Sequence, residues 1–235
     1  MLLVDLMDQL TAGELSQLSL GGIDSIGIEE CDYPKVIPHI NLGLTALYTR
    51  FPIRKQEVIV QQYDHIQNYT LDSKYAESNT ASTEKYKYVK DSVYEPFTNN
   101  ILRIESVHNE DGQELFINDS EQYWAVHTKS YNVIHVPYPE QQNAMSVMYR
   151  ADHDPIPVIG ADPQTTEVNI PPGLLEALLF YIAARVYSNL NTDGAITDGN
   201  NFMMKYEASC ERAVVANIIN KDNTLNTKLD KNGWV

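Results

Sequence analysis

Five residues in the second half of the chain have side chains that could bind a transition metal. His127 and His135 flank Lys129-Ser130, a predicted turn, so we expect the two imidazoles to face each other across a hairpin. Asp152-His153-Asp154 adds nitrogen and oxygen ligands of the kind that zinc and other metals prefer. Solvated or half-buried histidines beside an ordinary turn explain the same pattern. We favour this second interpretation, because none of the spacings matches a recognised metal-binding motif.

Paired carboxylates and one serine raise the possibility of acid–base or nucleophilic catalysis. Glu29-Glu30 and Glu110-Asp111 are adjacent acidic pairs, but neighbouring carboxylates in loops are usually solvated. Ser25 has no histidine close to it in sequence to act as a base. The sequence also lacks a P-loop, a dinucleotide-binding glycine motif, G-x-S-x-G and H-E-x-x-H. We therefore expect a protein that is not an enzyme and uses no cofactor.

Composition excludes several further classes of protein. The chain has 235 residues, and its 43% hydrophobic and 21% charged residues are enough to bury a core. The 32 acidic and 17 basic residues give a net charge of −15, which argues against binding to nucleic acid or to an anionic membrane. The two cysteines predict neither a disulfide framework nor a zinc site. With no apolar span and no signal peptide in the sequence, we expect a soluble protein made in a reducing cytoplasm.

Apolar residues at helical spacing predict helices near the start of the chain. Residues 3–10 place leucine and methionine side chains on one helical face. Thr11 and Glu14 form a capping-box pattern, which predicts a short second helix after the first. A continuous apolar stripe from Ile37 to Phe51 predicts a third and longer helix that ends at the following proline.

Two more helices are predicted near the end of the chain, after a connector. The proline-rich segment 154–173 is expected to be extended. Residues 172–190 carry an apolar helical face, and residues 191–199 are rich in residues typical of loops. Asn200 is expected to cap a last helix.

The middle of the chain predicts short antiparallel strands. Runs of β-branched and aromatic residues predict strands over residues 57–61, 101–107, 113–117, 123–128, 131–136 and 145–149. Asn109-Glu110-Asp111-Gly112 is a typical hairpin turn. Together these segments predict a small antiparallel sheet or sandwich.

A polar segment over about residues 68–95 stands apart from these strands. A long polar loop in a compact domain is either functional or disordered. The segment contains Tyr69, Tyr75, Tyr86, Tyr88 and Tyr94. These side chains are expected either to form a protein interface or to cover the edge of the sheet.

The order of these elements predicts an α+β fold, in which an α-helical bundle carries an inserted small antiparallel β-domain and an extended C-terminal arm. The helical body takes residues 1–54 and 161–219, the insertion takes residues 55–160, and the arm takes residues 220–235. Trp234 is the most informative residue of the arm, because a lone tryptophan on a polar tail is either an interface anchor or part of a free tail.

Several segments of the sequence resemble one family of phage proteins. They are YPKVIPHINLGLTALYTRFPIRKQEV, ILRIESVHNEDGQELFIND, YWAVHTKSYNVIHVP, IPPGLLEALLFYIAARVYSNL and NFMMKYEASCERAVVANI. In pattern and order, residues 33–219 are similar to tailed-bacteriophage head-to-tail adaptors, the connector or head-completion proteins that bind beneath the portal. Such proteins combine a helical bundle, in some members an inserted β-domain, and a C-terminal arm, and they assemble into dodecameric rings.

The resemblance implies a structural role in the virion at the head-to-tail interface, after synthesis in the host cytoplasm. A homo-oligomeric ring would join the portal protein to a tail or nozzle protein, and genomic DNA would pass through its channel without sequence-specific binding and without any membrane. Residues implied to bind the portal or a neighbouring subunit are Lys221, Lys228, Lys231, Trp234 and Val235, and the five tyrosines named above would contact the tail or a neighbour. Two alternatives remain open: a carbohydrate- or receptor-binding β module of a phage tail, and a hydrolase with an unrecognised site.

Overall fold

A computed structural model of the chain describes residues 1–16, 18, 28–141, 143–190 and 193–218. In this part of the chain the α-helices are α1 (Leu3–Ala12), α2 (Tyr33–Arg50), α3 (Leu175–Ser188) and α4 (Asp193–Val215). The β-strands are β1 (Lys55–Gln61), β2 (Asn68–Thr70), β3 (Val89–Lys90), β4 (Ile101–His108), β5 (His127–Ser130), β6 (Val133–His135) and β7 (Ala144–Ala151). The predicted α+β fold is confirmed.

The chain divides into two compact units. The first, which we call the helical unit, takes Met1–Pro52 and Pro155–Val235. The second, the β unit, takes Ile53–Asp154 and contains all of the described strands. No helix among the described residues is both long enough and apolar enough to cross a lipid bilayer.

Helix α1 begins where the sequence predicts it, with its leucine face buried. The Asp5 carboxylate accepts a hydrogen bond from the Leu2 N–H (3.1 Å) and so satisfies one free donor at the start of the helix. The predicted capping box at Thr11 and Glu14 is wrong. Thr11 lies inside α1, its hydroxyl accepts from the Ile28 N–H (3.4 Å), and residues 13–16 form turns.

Helices α2 and α3 pack closely through a glycine. A Cβ atom at Gly43 would lie 2.8 Å from Leu178 Cδ1 and 2.9 Å from Tyr181 Cδ1, so a larger residue would force these side chains to shift. Leu44 and Leu178 are both buried, as the predicted apolar stripes require.

Helix α4 begins seven residues before the predicted cap at Asn200, so the predicted loop over residues 191–199 is wrong from Asp193 onward. The segment is helical despite its glycines because Gly199, which has no side chain, lets α4 pack closely on α3. A Cβ atom at this position would meet the Ala184 carbonyl oxygen at 3.1 Å and the Ser188 backbone nitrogen at 3.2 Å. The close packing of α4 on α3 therefore offsets the low helix propensity of the segment.

The β unit contains a four-stranded antiparallel sheet in the order β3-β1-β7-β4 and a three-stranded sheet in the order β2-β6-β5. Strand β1 pairs with β7 along its whole length, from Lys55 opposite Arg150 to Gln61 opposite Ala144. The strands predicted over residues 57–61, 101–107 and 145–149 are confirmed. Both sheets contribute to one buried core, which includes Val60, Tyr69, Ile134 and Val147.

Two other strand predictions are wrong. Residues 113–117 form no strand, because they pair only through isolated bridges at Glu114 and Ile117. The strand predicted from Tyr123 begins at His127 instead, and its hairpin turns at Tyr131-Asn132. Lys129-Ser130 is not the turn, since both residues belong to β5, where a register shift lies between Thr128 and Ser130.

The polar segment 68–95 is built into the β unit and is not one long loop. It contains β2 and β3 and is held by many hydrogen bonds from side chains to the backbone. The Asp91 carboxylate accepts from the backbone N–H groups of Ser78 (2.8 Å) and Phe97 (2.9 Å). These bonds replace the strand pairing that the polar residues themselves cannot provide.

Candidate partner-binding surface

The predicted metal ligands are not gathered into one site. His127 and His135 do face each other across β5 and β6, with ring centroids 6.3 Å apart, as the sequence predicted. His153 follows β7 in the other sheet, where its Nδ1 lies 2.9 Å from the Asp152 carboxylate. Among the described residues, no three histidine, cysteine, aspartate or glutamate side chains come together as metal ligands.

His135 has a structural role at the edge of the small sheet. Its Nδ1 lies 3.0 Å from Asn68 Oδ1, which also accepts a hydrogen bond from Lys129 Nζ (2.8 Å). Partial burial and the nearby Lys129 ammonium lower the pKa of His135, so this imidazole is less readily protonated than a free histidine. The contact ties β2 to the β5–β6 hairpin.

The candidate catalytic carboxylates are solvent-exposed. Glu29 and Glu30 lie at the start of a short 3₁₀ turn in the helical unit. Glu110 and Asp111 lie in the turn after β4, where Gly112 takes the left-handed conformation (φ +77°). Exposure of this kind leaves a carboxylate with its ordinary solvation. Ser25 lies outside the described residues.

Two of the five tyrosines predicted to contact a partner belong to the core, which corrects that prediction. Tyr69 and Tyr88 are 0% and 3% exposed. Their hydroxyls accept hydrogen bonds from the N–H groups of Tyr63 (2.8 Å) and Thr70 (3.0 Å), and burial raises the pKa of both phenols. Buried side chains cannot bind a partner without unfolding part of the unit.

The other three tyrosines differ in exposure. Tyr75 is partly buried and stacks on Tyr88, with ring centroids 4.6 Å apart, and Tyr86 is partly buried against the same core. Tyr94 is 96% exposed on the loop after β3. Tyr94 therefore stays a candidate contact residue. The arm residues Lys221, Lys228, Lys231, Trp234 and Val235 lie outside the described residues.

The β unit also exposes a cluster of aromatic side chains that the sequence analysis did not identify as a site. Tyr123, Trp124 and Tyr138 are 62%, 61% and 49% exposed. The Tyr123 and Tyr138 rings stack with centroids 4.3 Å apart, and the Trp124 ring stands at 90° to Tyr123 with a centroid distance of 5.0 Å. We call these three residues the aromatic patch.

The local chain explains why the aromatic patch faces solvent. In the predicted strand, Tyr123 and Trp124 would point to opposite faces, and one of them would be buried. Strand β5 starts only at His127, however, and it is Ala125 and Val126 that are buried. The Asp119 carboxylate accepts from the Glu121 N–H (2.9 Å) and forms a turn just before the aromatic pair. In the sequence, the adjacent aromatic residues Tyr123 and Trp124 are the only feature that could indicate this exposed patch.

Acidic residues surround the aromatic patch in sequence. Between Asn109 and Thr128 the chain has five acidic residues and no lysine or arginine: Glu110, Asp111, Glu114, Asp119 and Glu121. None of these five carboxylates forms an ion pair with another residue in the described ranges. Glu105 on the adjacent strand differs, because it pairs with Lys55 and Arg150.

A groove of about 770 Å³ lies beside strand β1 in the β unit. Strand β3 pairs with β1 only at Ile59 and Val60, so the edge of β1 from Lys55 to Val58 is not covered by β3. Asp91 directs the chain away from the sheet at this point and forms part of the groove wall. Open strand edges of this kind can accept an added strand.

A comparison of the sequence with protein-family models gave no match, and a comparison with curated proteins gave no significant match. Exposed binding surfaces are therefore the features from which a function must be argued.

Proposed function

We propose that the chain is a structural protein of a tailed-bacteriophage virion, an adaptor whose ring joins the portal to the tail and extends the DNA channel. The observation that carries this proposal is the insertion of the whole β unit between α2 and α3 of the helical unit. The same order of elements underlies the sequence resemblance to head-to-tail adaptors. Such a role, in tail assembly and genome ejection, requires binding surfaces and no catalytic residue.

The charge of the chain supports this role. A ring of about twelve copies, each with a net charge of −15, would carry on the order of −180 formal charges. An acidic channel wall repels phosphate groups, so DNA would slide through without binding. Like charges also oppose assembly of free subunits, and we expect the ring to form on the portal as a template.

Contacts with partners are assigned to two separate parts of the chain. The arm residues Lys221, Lys228, Lys231, Trp234 and Val235 are proposed to bind the portal, with a neighbouring subunit as the alternative partner. Tyr94 and the aromatic patch are proposed to lie among the contacts with a tail or nozzle protein.

Electron microscopy of portal-bearing heads tests the proposal. Purified heads are incubated with the chain and imaged, and native mass spectrometry records the mass of the free chain at moderate salt. We expect a ring of added density beneath the portal and mainly monomers without portal. Heads without added density at saturating protein concentration would refute the adaptor role. A closed ring of the free chain would contradict only the need for a template.

One observation favours a second candidate function, a carbohydrate- or receptor-binding module of a phage tail. Exposed tryptophan and tyrosine rings of the kind found in the aromatic patch also bind sugar rings and receptor surfaces. A glycan array tests this function directly, and saturable binding to one glycan class would favour it over the adaptor.

A further inference from the structure

We propose that the aromatic patch and the carboxylates around it form a docking site for a basic segment of a partner protein, with an arginine or lysine side chain held against Trp124. This inference concerns the β unit alone and does not depend on ring formation. It follows from the arrangement of the three aromatic side chains and from the acidic residues near them in the sequence, which have no basic partner among the described residues.

The arrangement of the three aromatic side chains leaves Trp124 as the surface that a basic side chain can contact. Tyr123 and Tyr138 stack at an interplanar angle of 16°, so each covers one face of the other. The neighbouring Tyr138 hydroxyl raises the pKa of Tyr123. The Trp124 ring stands at 90° to Tyr123 and at 74° to Tyr138, and it remains 61% exposed. A tryptophan face supported in this way is the best aromatic partner for a cation.

The charge around the patch selects a cation over a neutral ligand. The five carboxylates between Asn109 and Thr128 have no basic partner among the described residues. Glu110, Glu114 and Glu121 are exposed, which leaves them available to a partner. Glu121 precedes Trp124 by three residues, so a basic side chain on the Trp124 face would be attracted by the ring and by the local negative charge together.

A saccharide is the other occupant to consider, but the geometry fits it less well. Sugar-binding sites often use several flat aromatic faces, whereas Tyr123 and Tyr138 stack on each other and leave Trp124 as the main open face of the patch. A neutral sugar can donate hydroxyl hydrogen bonds to carboxylates, but it lacks the net positive charge that a basic side chain adds to this attraction. Aromatic residues surrounded by negative charge are instead typical of surfaces that recognise basic side chains.

Fluorescence anisotropy with labelled peptides tests the inference on the full chain. The probes are three fluorescein-labelled octapeptides of alternating sequence, Gly-Arg, Gly-Gln and Gly-Glu. We expect saturable binding of the arginine peptide alone, weaker at 300 mM than at 50 mM NaCl. Trp124→Ala should raise its Kd at least about fivefold, and Glu121→Gln about twofold to threefold.

Matched variants separate the patch from the overall negative charge of the chain. Tyr131→Ala removes an equally exposed aromatic ring, in the turn between β5 and β6, and Glu84→Gln removes an exposed charge elsewhere in the β unit. Both should leave the Kd within about twofold, and far-UV circular dichroism checks that every variant is folded. Equal effects of Trp124→Ala and Tyr131→Ala, or no binding of the arginine peptide, would overturn the proposal. A glycan that binds the parent chain and not Trp124→Ala would identify the patch as a sugar site instead.

Discussion

Gly199 on α4 lies so close to Ser188 on α3 that a Cβ atom at position 199 would come within 2.6 Å of Ser188 Oγ. The same Cβ would lie 3.1 Å from the Ala184 carbonyl oxygen, and a backbone atom cannot move aside as a flexible side chain can. Glycine at this position therefore fixes how closely the two helices approach.

Gly199→Ala is predicted to destabilise the helical unit. The new methyl group would push α4 away from α3, at a cost of about 1–3 kcal/mol that the better helix propensity of alanine offsets only in part. Gly194→Ala on the same helix is the control, since no atom lies within 4 Å of its added Cβ, and it should be neutral or stabilising. Urea unfolding measures both changes. Equal stabilisation by both alanines would mean that the helices do not pack as described.

Leu44→Asp is predicted to unfold the helical unit. Leu44 is 1% exposed in the interior of α2, so the variant would bury an unpaired carboxylate at a cost of more than about 4 kcal/mol. Leu42→Asp is the matched control, because Leu42 lies on the same helix and is 47% exposed. Thermal unfolding followed by circular dichroism at 222 nm distinguishes them, and similar melting of both variants would show that Leu44 is not a core residue.

Asp91→Asn is predicted to loosen the loop that forms one wall of the groove beside β1. An amide keeps the shape but loses the charge that strengthens the hydrogen bonds from Ser78 and Phe97, so we expect a loss of about 1–2 kcal/mol. Limited proteolysis should then cut within residues 92–98 faster than in the parent chain. Asp111→Asn, in an exposed turn, serves as the control. Unchanged cleavage in Asp91→Asn would show that the Asp91 carboxylate does not hold this loop in place.

Glu105 is predicted to make the β unit sensitive to acid. Burial alone would raise the pKa of its carboxyl, but hydrogen bonds from Arg150 and Lys55 outweigh burial and hold it below the ordinary value of 4.5. Since the pKa is lower in the folded state, Glu105 stabilises the fold above about pH 4.5, and this contribution is lost as the pH falls through the folded-state value.

Glu105→Gln tests this pH dependence. At pH 7 the variant should be less stable by about 2 kcal/mol, because Arg150 and Lys55 lose their charged partner. The difference from the parent chain should shrink towards pH 3. Glu84→Gln should follow the parent curve at every pH. A constant difference between Glu105→Gln and the parent from pH 7 to pH 3 would contradict the assigned shift.

Deletion of residues 221–235 is predicted to leave the stability of the fold unchanged and to abolish binding to the portal. The deleted residues lie beyond the last described helix and carry the three lysines and Trp234 that we assign to the portal. The midpoint of thermal unfolding should stay within about 1 °C, since a change of 1 kcal/mol would shift it by about 2–4 °C in a chain of this size. Binding to portal-bearing heads should be lost. Trp234→Ala should weaken binding without shortening the chain, and full binding by the deleted chain would move the contact to Tyr94 or the aromatic patch.

The regular parts of the fold could be predicted because local patterns decide them. The stripe from Ile37 to Phe51 specifies α2, and alternation specifies β1 and β7. The start of α4 could not be predicted, since Gly194 and Gly199 favour a loop locally and only packing on α3 makes the segment helical. Long-range contacts decide such positions, and a single sequence does not contain them.

The candidate site was harder to predict than the fold. The sequence predicts one role for the five tyrosines of the polar segment, yet the hydroxyls of Tyr69 and Tyr88 bond to backbone carbonyls in the core, and Tyr94 is exposed. The aromatic patch was missed because Tyr123 and Tyr138 are fifteen residues apart in sequence and meet only in the fold. Pairing between distant segments, which residue types do not reveal, determines which aromatic rings remain exposed.

The pairing of β1 with β7 has a consequence for how this protein can diversify. Near the two ends of the β unit, Lys55 of β1 lies opposite Arg150 of β7, and just beyond that pair the Ala151 N–H donates to the Arg54 carbonyl oxygen (3.0 Å). Entry and exit are therefore one interstrand spacing apart, about 5 Å. An inserted cassette such as the β unit, whose two ends adjoin, can be lost, enlarged or exchanged between genes while a short linker keeps α2 and α3 joined. Selection can then change what the cassette binds without redesigning the helices that carry it.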